Sequence, residues 1–284
     1  MSERSALSYV YSGSFEGLMC CLNEVFASGI EPAEILEGEE PQSLYLTKRV
    51  IESADLAARF TESIRKNISA AALYRVKLCF LSCAAEKELC IYRFLRLGFR
   101  VGRNVLQYLT HPDAEPLLKS VRCLEREAEA FRGFSRFSEI EGVLVAELSP
   151  RNQVLPLLGA HFADRMPDET LFIYDKTHHA YFFHQPGEKV RYGYSEDFTA
   201  AQPDETELRY RALWRRFYQA VAIPPRFNPR CQNSNLPKRY RADMTEFSEE
   251  AHSLQERLLC GQGFLPREAQ EEAEALHRKA RKET

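Results

Sequence analysis

Acidic side chains are missing from Leu208 to Ala242, in a chain whose 41 Asp and Glu outnumber its 38 Lys and Arg and leave a net charge of -3. The gap leaves that segment's nine basic residues without an acid inside the segment. Other absences narrow the class of protein. No run of about 18 apolar residues occurs, so no membrane-spanning helix and no membrane partner are expected. The opening MSERSALSYVY lacks the charged-then-apolar pattern of a secretory signal. The 8 cysteines show no disulfide-like spacing, which together with the opening predicts a cytoplasmic protein with reduced thiols. Patterns that cradle phosphates or dinucleotides, G-x-x-x-x-G-K-[ST] and G-x-G-x-x-G, are absent, as is the G-x-S-x-G nucleophile elbow. No compact group of carboxylates suggests a two-metal nuclease. These absences argue against the common nucleotide-dependent and hydrolytic enzymes, and the sequence implies no cofactor and no metal.

What the acid-free window does contain is cations interleaved with flat rings. Tyr210, Trp214 (the only Trp), Phe217, Tyr218, Phe227 and Tyr240 alternate with the arginines and Lys238. Cations hold a phosphate backbone, and aromatic faces stack on bases. The rest of the charge is also banded. Residues 63–112 sum to +7 and 208–242 to +9, while 1–62, 113–207 and 243–284 sum to -7, -8 and -4. A local basic surface steers an anionic ligand whatever the total charge. The plainer account is that opposite bands neutralise each other in the folded chain.

The first basic band has helical geometry. Arg93, Arg96, Arg100 and Arg103 are spaced to form one stripe, beside an apolar stripe of Cys90, Phe94, Leu97 and Val101. No acid lies between Glu88 and Asp113, so these arginines require distant acids, water or an anionic partner. Gly98 and Gly102 lower helix propensity by about 1 kcal/mol each relative to Ala, and their spacing admits a close approach.

Hydrophobic periodicity predicts an α+β protein: a helical part over 1–131, an α+β part over 132–247 and a charged helical tail over 248–284. Ser14 caps a first helix, and further helices are expected over 43–66, 69–84, 86–108 and 113–131. Gly142–Leu148 reads as a buried strand and Val154–Arg165 as a helix. Thr170–Tyr174, His179–His184 and Lys189–Tyr194 read as a meander turning at Gln185–Glu188. These strands form a small, mostly antiparallel sheet covered by helices. Asp204–Ala222 returns to helix, with Tyr210, Leu213, Trp214, Phe217 and Val221 on one face.

Three segments resemble a bacterial family of DNA metabolism or DNA repair proteins. They are Tyr11-Ser-Gly-Ser-Phe-Glu-Gly17, the run from Ser149-Pro150 through His161-Phe-Ala-Asp-Arg165 to Tyr174-Asp175, and Arg226-Phe-Asn-Pro-Arg-Cys-Gln-Asn-Ser-Asn-Leu-Pro-Lys-Arg-Tyr240 with Met244-Thr-Glu-Phe247. The resemblance spans most of the chain to about residue 247, in matching order. It implies a DNA-repair radical S-adenosylmethionine protein as partner, encoded beside such proteins. Elsewhere the domain is fused to a uracil-DNA glycosylase-like domain, which this sequence lacks. Arg241 stands where the family pattern leads us to expect an aromatic residue. The resemblance carries over no catalytic residues.

Candidate chemistry follows from the residues themselves. Cys79, Cys83 and Cys90 have helical rather than cluster-binding spacing and read as buried thiols. His178 and His184 are about 20 Å apart on an extended strand, too far to share an ion. His161 and Arg165 are one helical turn apart, and with Asp164 and Asp175 they are the candidates for acid–base chemistry or for a plain hydrogen-bond network. The sharpest binding candidates are the acid-free residues after the Pro224-Pro225 stop. Arg226, Arg230, Lys238 and Arg239 suit phosphates, Gln232 and Asn233 suit base edges, and Phe227 and Tyr240 suit stacking. With Arg93, Arg96, Arg100 and Arg103 as a second basic wall, the expected ligand is single-stranded or distorted DNA. An adaptor for a protein partner, and an enzyme acting on a damaged base, remain as alternatives.

Overall fold

The computed structural model describes residues 7–38, 42–199, 203–226 and 228–247; the expected helical tail over 248–284 and the stacking candidate Phe227 lie outside them. The described residues form two compact units. The first takes those of 1–133 and 150–165, the second those of 134–149 and 166–284. Residues 150–165 thus group with the N-terminal part of the chain.

The first unit opens with a strand, not a helix. β1 (Leu7–Tyr11) is followed by α1 (Phe15–Ser28), β2 (Pro32–Glu37) and β3 (Leu46–Arg49). The three strands form a parallel sheet in the order β2-β1-β3. Central β1 buries Ser8, Tyr9, Val10 and Tyr11 alike, as a parallel strand covered on both faces does. The Ser14 side chain caps α1 by accepting from the Gly17 amide at 2.8 Å, and Gly29, at φ 65°, closes it in the left-handed conformation. β3 corrects the expected helix over 43–66: its backbone pairs with β1, and the Ser53 cap starts the next helix only afterwards.

Helices α2 (Ala54–Asn67), α3 (Ala70–Phe80), α4 (Lys87–Val101), α5 (Glu115–Phe134) and α6 (Leu155–Arg165) complete the unit. In α4, a methyl group placed on Gly98 would lie 2.7 Å from Ile68 Cδ1, so the missing side chain admits a neighbouring residue. Gly102, at φ 65°, ends α4, and a 3-10 turn over Gly102–Gln107 replaces the rest of the helix expected to 108. A buried carboxylate ties α5 to the segment before α6. Glu127 Oε2 accepts from the Asn152 amide at 2.8 Å and from Asn152 Nδ2 at 2.5 Å, while Asn152 Oδ1 accepts from the Cys83 amide at 2.9 Å.

The second unit holds a five-stranded mixed sheet in sequential order: β4 (Ser138–Ile140), β5 (Val143–Leu148), β6 (Leu171–Asp175), β7 (Ala180–His184) and β8 (Arg191–Tyr194). Only β5 and β6 are parallel; the other pairs are antiparallel. The meander turns at Gln185–Glu188, where Pro186 and Gly187 at φ 76° supply type II turn chemistry. Two helices follow, α7 (Glu205–Ala220) and the short α8 (Pro229–Asn235). The fold is therefore mixed α+β, with a parallel sheet that the sequence reading lacked.

Candidate nucleic-acid interface

The two basic bands belong to different units, 93–103 to the first and 209–241 to the second. On α4, Ile91, Phe94, Leu95 and Leu97 are buried, which turns the arginines outward. Arg93 is half-buried, whereas Arg96, Arg100 and Arg103 are exposed. Arg96 finds its distant acids, Glu31 at 2.8 Å and Asp113 at 3.4 Å. Arg100 and Arg103 form no ion pair among the described residues. Arg103 stands in the 3-10 turn after α4, so the helical stripe stops at Arg100.

In the second unit, α7 is built inside out. Its one buried residue is Arg215, which donates from Nη2 to the Thr245 carbonyl at 3.1 Å. Arg211, on the same inward side, donates to Glu207 at 2.8 Å and to Ser138 Oγ at 2.6 Å. The face that carries Tyr210, Leu213, Trp214, Phe217 and Val221 is exposed, Phe217 at 56% and Tyr210 at 66%. Trp214 and Phe217 stack with centroids 5.7 Å apart and planes at 28°. The Arg136 guanidinium lies 5.8 Å from the Trp214 ring. Arg136 in turn grips Glu246 with two hydrogen bonds, at 2.7 and 3.2 Å.

Burial alone would push the Glu246 carboxyl up. The Arg136 hydrogen bonds and charge, its own backbone amide and the Trp214 contact outweigh burial and hold it below the usual carboxylate range. This hub joins residues far apart in sequence, and no spacing in the chain signals it.

The segment after α7 is built of short helical turns. A 3-10 turn (Pro224–Arg226), α8 and a second 3-10 turn (Lys238–Asp243) succeed one another. Asn228 caps α8, its Oδ1 accepting from the Arg230 and Cys231 amides at 3.1 Å each. The amides assigned to base edges have internal work: Gln232 Nε2 donates to Tyr218 Oη at 3.2 Å, and Asn233 Oδ1 accepts from Arg241 at 2.9 Å. Tyr240 is 5% exposed and packs on Phe134, so its ring is not offered to a base. Arg239 lies over the Tyr240 ring at 4.6 Å. Arg226, Arg230 and Lys238 remain exposed, and none forms an ion pair among the described residues.

The acid–base candidates are divided between the two units. His161, Asp164 and Arg165 lie on α6 of the first unit, and no hydrogen bond or ion pair joins them among the described residues. Asp175 ends β6 of the second unit and is 1% exposed. Its Oδ1 accepts from the amides of Thr177 and His178, and its Oδ2 lies 2.6 Å from His178 Nδ1. The i, i+3 spacing of Asp175 and His178 across a turn was the available signal for this pair, which the sequence reading did not use. Among the described residues no group of three or more His, Cys, Asp or Glu is placed to hold a metal. Cys79 is buried beside Ser120 Oγ at 3.2 Å, and burial pushes its thiol up to about 11, whereas Cys83 is exposed. The three helical-region cysteines are thus not one ligand set.

No curated protein matches the chain. A protein-family model described as a domain of unknown function, DUF4130, matches residues 85–246. That span takes in α4, α5 and α6, the five-stranded sheet and α7 with the basic segment beyond it, more than half of the 284 residues, and the chain belongs to this family.

Proposed function

We propose that the chain is a DNA-binding accessory protein of DNA repair, which holds single-stranded or distorted DNA for a radical S-adenosylmethionine or glycosylase-type partner. The observation that carries the reading is in the second unit. Arg226, Arg230 and Lys238 are exposed and free of ion pairs among the described residues, within a stretch that has no acid from Leu208 to Ala242. Cations left without a carboxylate partner are suited to phosphates, and they release counterions when they bind them. The partner and the repair context rest on the resemblance of the sequence segments alone.

The test is fluorescence anisotropy of labelled DNA against the full chain over a salt series. On a single strand, three phosphate contacts predict a log–log slope of about -2.1, a loss of roughly eighteen-fold between 50 and 200 mM salt. The double variant Arg230→Glu, Lys238→Glu is expected to abolish most of that slope. Affinity independent of salt would refute the phosphate role, and the protein would then be an adaptor for its partner alone.

A second reading as an enzyme is favoured by one contact, His178 Nδ1 at 2.6 Å from the buried Asp175 carboxylate. A carboxylate on one ring nitrogen orients the other for proton transfer. Turnover of a damaged-base substrate that disappears in His178→Ala, with DNA affinity intact, is the result this reading expects. Unchanged turnover in that variant would remove His178 from the chemistry.

A further inference from the structure

The orientation of α7 is costly on both sides, and that cost points to a ligand. The helix turns Arg211 and Arg215 inward and its aromatic rings outward, the reverse of an ordinary surface helix. Exposed apolar residues scattered singly need no explanation, but a contiguous aromatic face marks a binding surface. Two rows run along the exposed side, each spaced i, i+4, i+7: Tyr210, Trp214 and Phe217 in one, and Arg209, Leu213 and Arg216 beside it. The aromatic row spans about 10 Å along the axis, enough for about three stacked bases.

Its central ring is held in place. The Arg136 guanidinium, itself fixed by Glu246, lies 5.8 Å from the Trp214 ring, and Phe217 stacks against the indole at 5.7 Å. A ring held between a fixed guanidinium and a neighbouring ring loses little freedom when a base settles on it, which lowers the cost of binding. Glu205, one turn before on the Arg209 row, pairs with Arg209 at 2.6 Å, whereas Arg216 is exposed and forms no ion pair among the described residues. An anionic ligand that carries flat apolar faces fits both rows.

We propose that the outer face of α7 is a stacking platform for unpaired bases, with Tyr210, Trp214 and Phe217 under the bases and Arg216 along the phosphates. The occupant is a single strand of DNA, because the base faces of an intact duplex are already covered by their neighbours. The inference rests on the DNA reading above and deepens it: the basic segment supplies sequence-independent affinity, and the α7 face selects the unpaired strand.

The chain's single tryptophan makes the platform directly observable, since its emission reports this face alone. The full chain is titrated with oligothymidylate of about 20 nucleotides and, separately, with a blunt hairpin duplex, following both anisotropy and tryptophan emission. Saturable quenching by the single strand is expected, with none by the duplex. Phe217→Ala, at a 56% exposed position that threatens the fold little, is expected to weaken single-strand binding about ten-fold and duplex binding less than about two-fold.

A rise in anisotropy without quenching would overturn the platform and leave the DNA reading standing. No rise in anisotropy at low salt would overturn both. Acrylamide that fails to reach Trp214 in the free full chain would show the face already covered by residues 248–284 or by a second copy, and would also overturn the platform.

Discussion

Glu127→Ala is expected to lower the unfolding free energy by about 4 kcal/mol, the sum of two or three buried donors left without an acceptor. Glu127 is 2% exposed, and its carboxylate receives the amides of Arg151 and Asn152 and the side-chain amide of Asn152. Asn152 is itself 5% exposed, so water does not readily replace the lost oxygen atoms. The damage spreads through one more bond, because Asn152 Oδ1 holds the Cys83 amide in the turn that follows α3, and the Gln153 amide donates to the Leu81 carbonyl at 2.9 Å. Glu127→Gln keeps one acceptor but turns an NH2 group toward donors, so it is expected to recover no more than about half of the loss. Urea unfolding followed by far-UV circular dichroism measures both. An effect below about 1 kcal/mol for Glu127→Ala would mean that the segment from Arg151 to Gln153 does not depend on this carboxylate.

The same contrast between local pattern and distant partner decides how much of the molecule the sequence discloses. The helices α3 to α6 and the meander of β6, β7 and β8 follow from periodicity and turn residues that act within a few positions. β1 does not, because a short buried run such as Leu7–Tyr11 lacks alternation, and only its pairing with β2 and β3 marks it as a strand. β3 carries no apolar face at all; each of its four residues is exposed.

For α7 the pattern located the aromatic face correctly but is silent on which way the face turns. The outward answer depends on Arg211 and Arg215 finding Ser138 and the Thr245 carbonyl on remote segments. Tyr240 is the opposite case: in sequence it sits among exposed cations, yet Phe134 and Arg239 enclose it. Of the basic candidates, Arg96 is the one whose acids, Glu31 and Asp113, lie in the charge bands on either side.

Removing the anchor beneath the platform is the second large effect expected. Glu246→Ala leaves the Arg136 guanidinium facing a site from which water is largely excluded, since the Glu246 side chain is 2% exposed. Breaking a buried ion pair from one side costs about 3–5 kcal/mol. The lower end applies here, about 3 kcal/mol, because Arg136 retains 24% exposure and regains some hydration. The pH dependence has a definite sign. The folded state holds the Glu246 carboxyl below its ordinary range, so its contribution is fully present above the unfolded value of about 4.3 and is lost as pH falls through the lower folded value. Urea midpoints read by tryptophan emission at several pH values from neutral to about 3 are expected to fall along that acid limb in the native chain. In Glu246→Gln the limb should be shallower, and the neutral-pH midpoint should lie between those of the native chain and Glu246→Ala. An acid limb of unchanged depth in Glu246→Gln would assign it to other carboxylates, and would leave Trp214 fixed by packing rather than by charge.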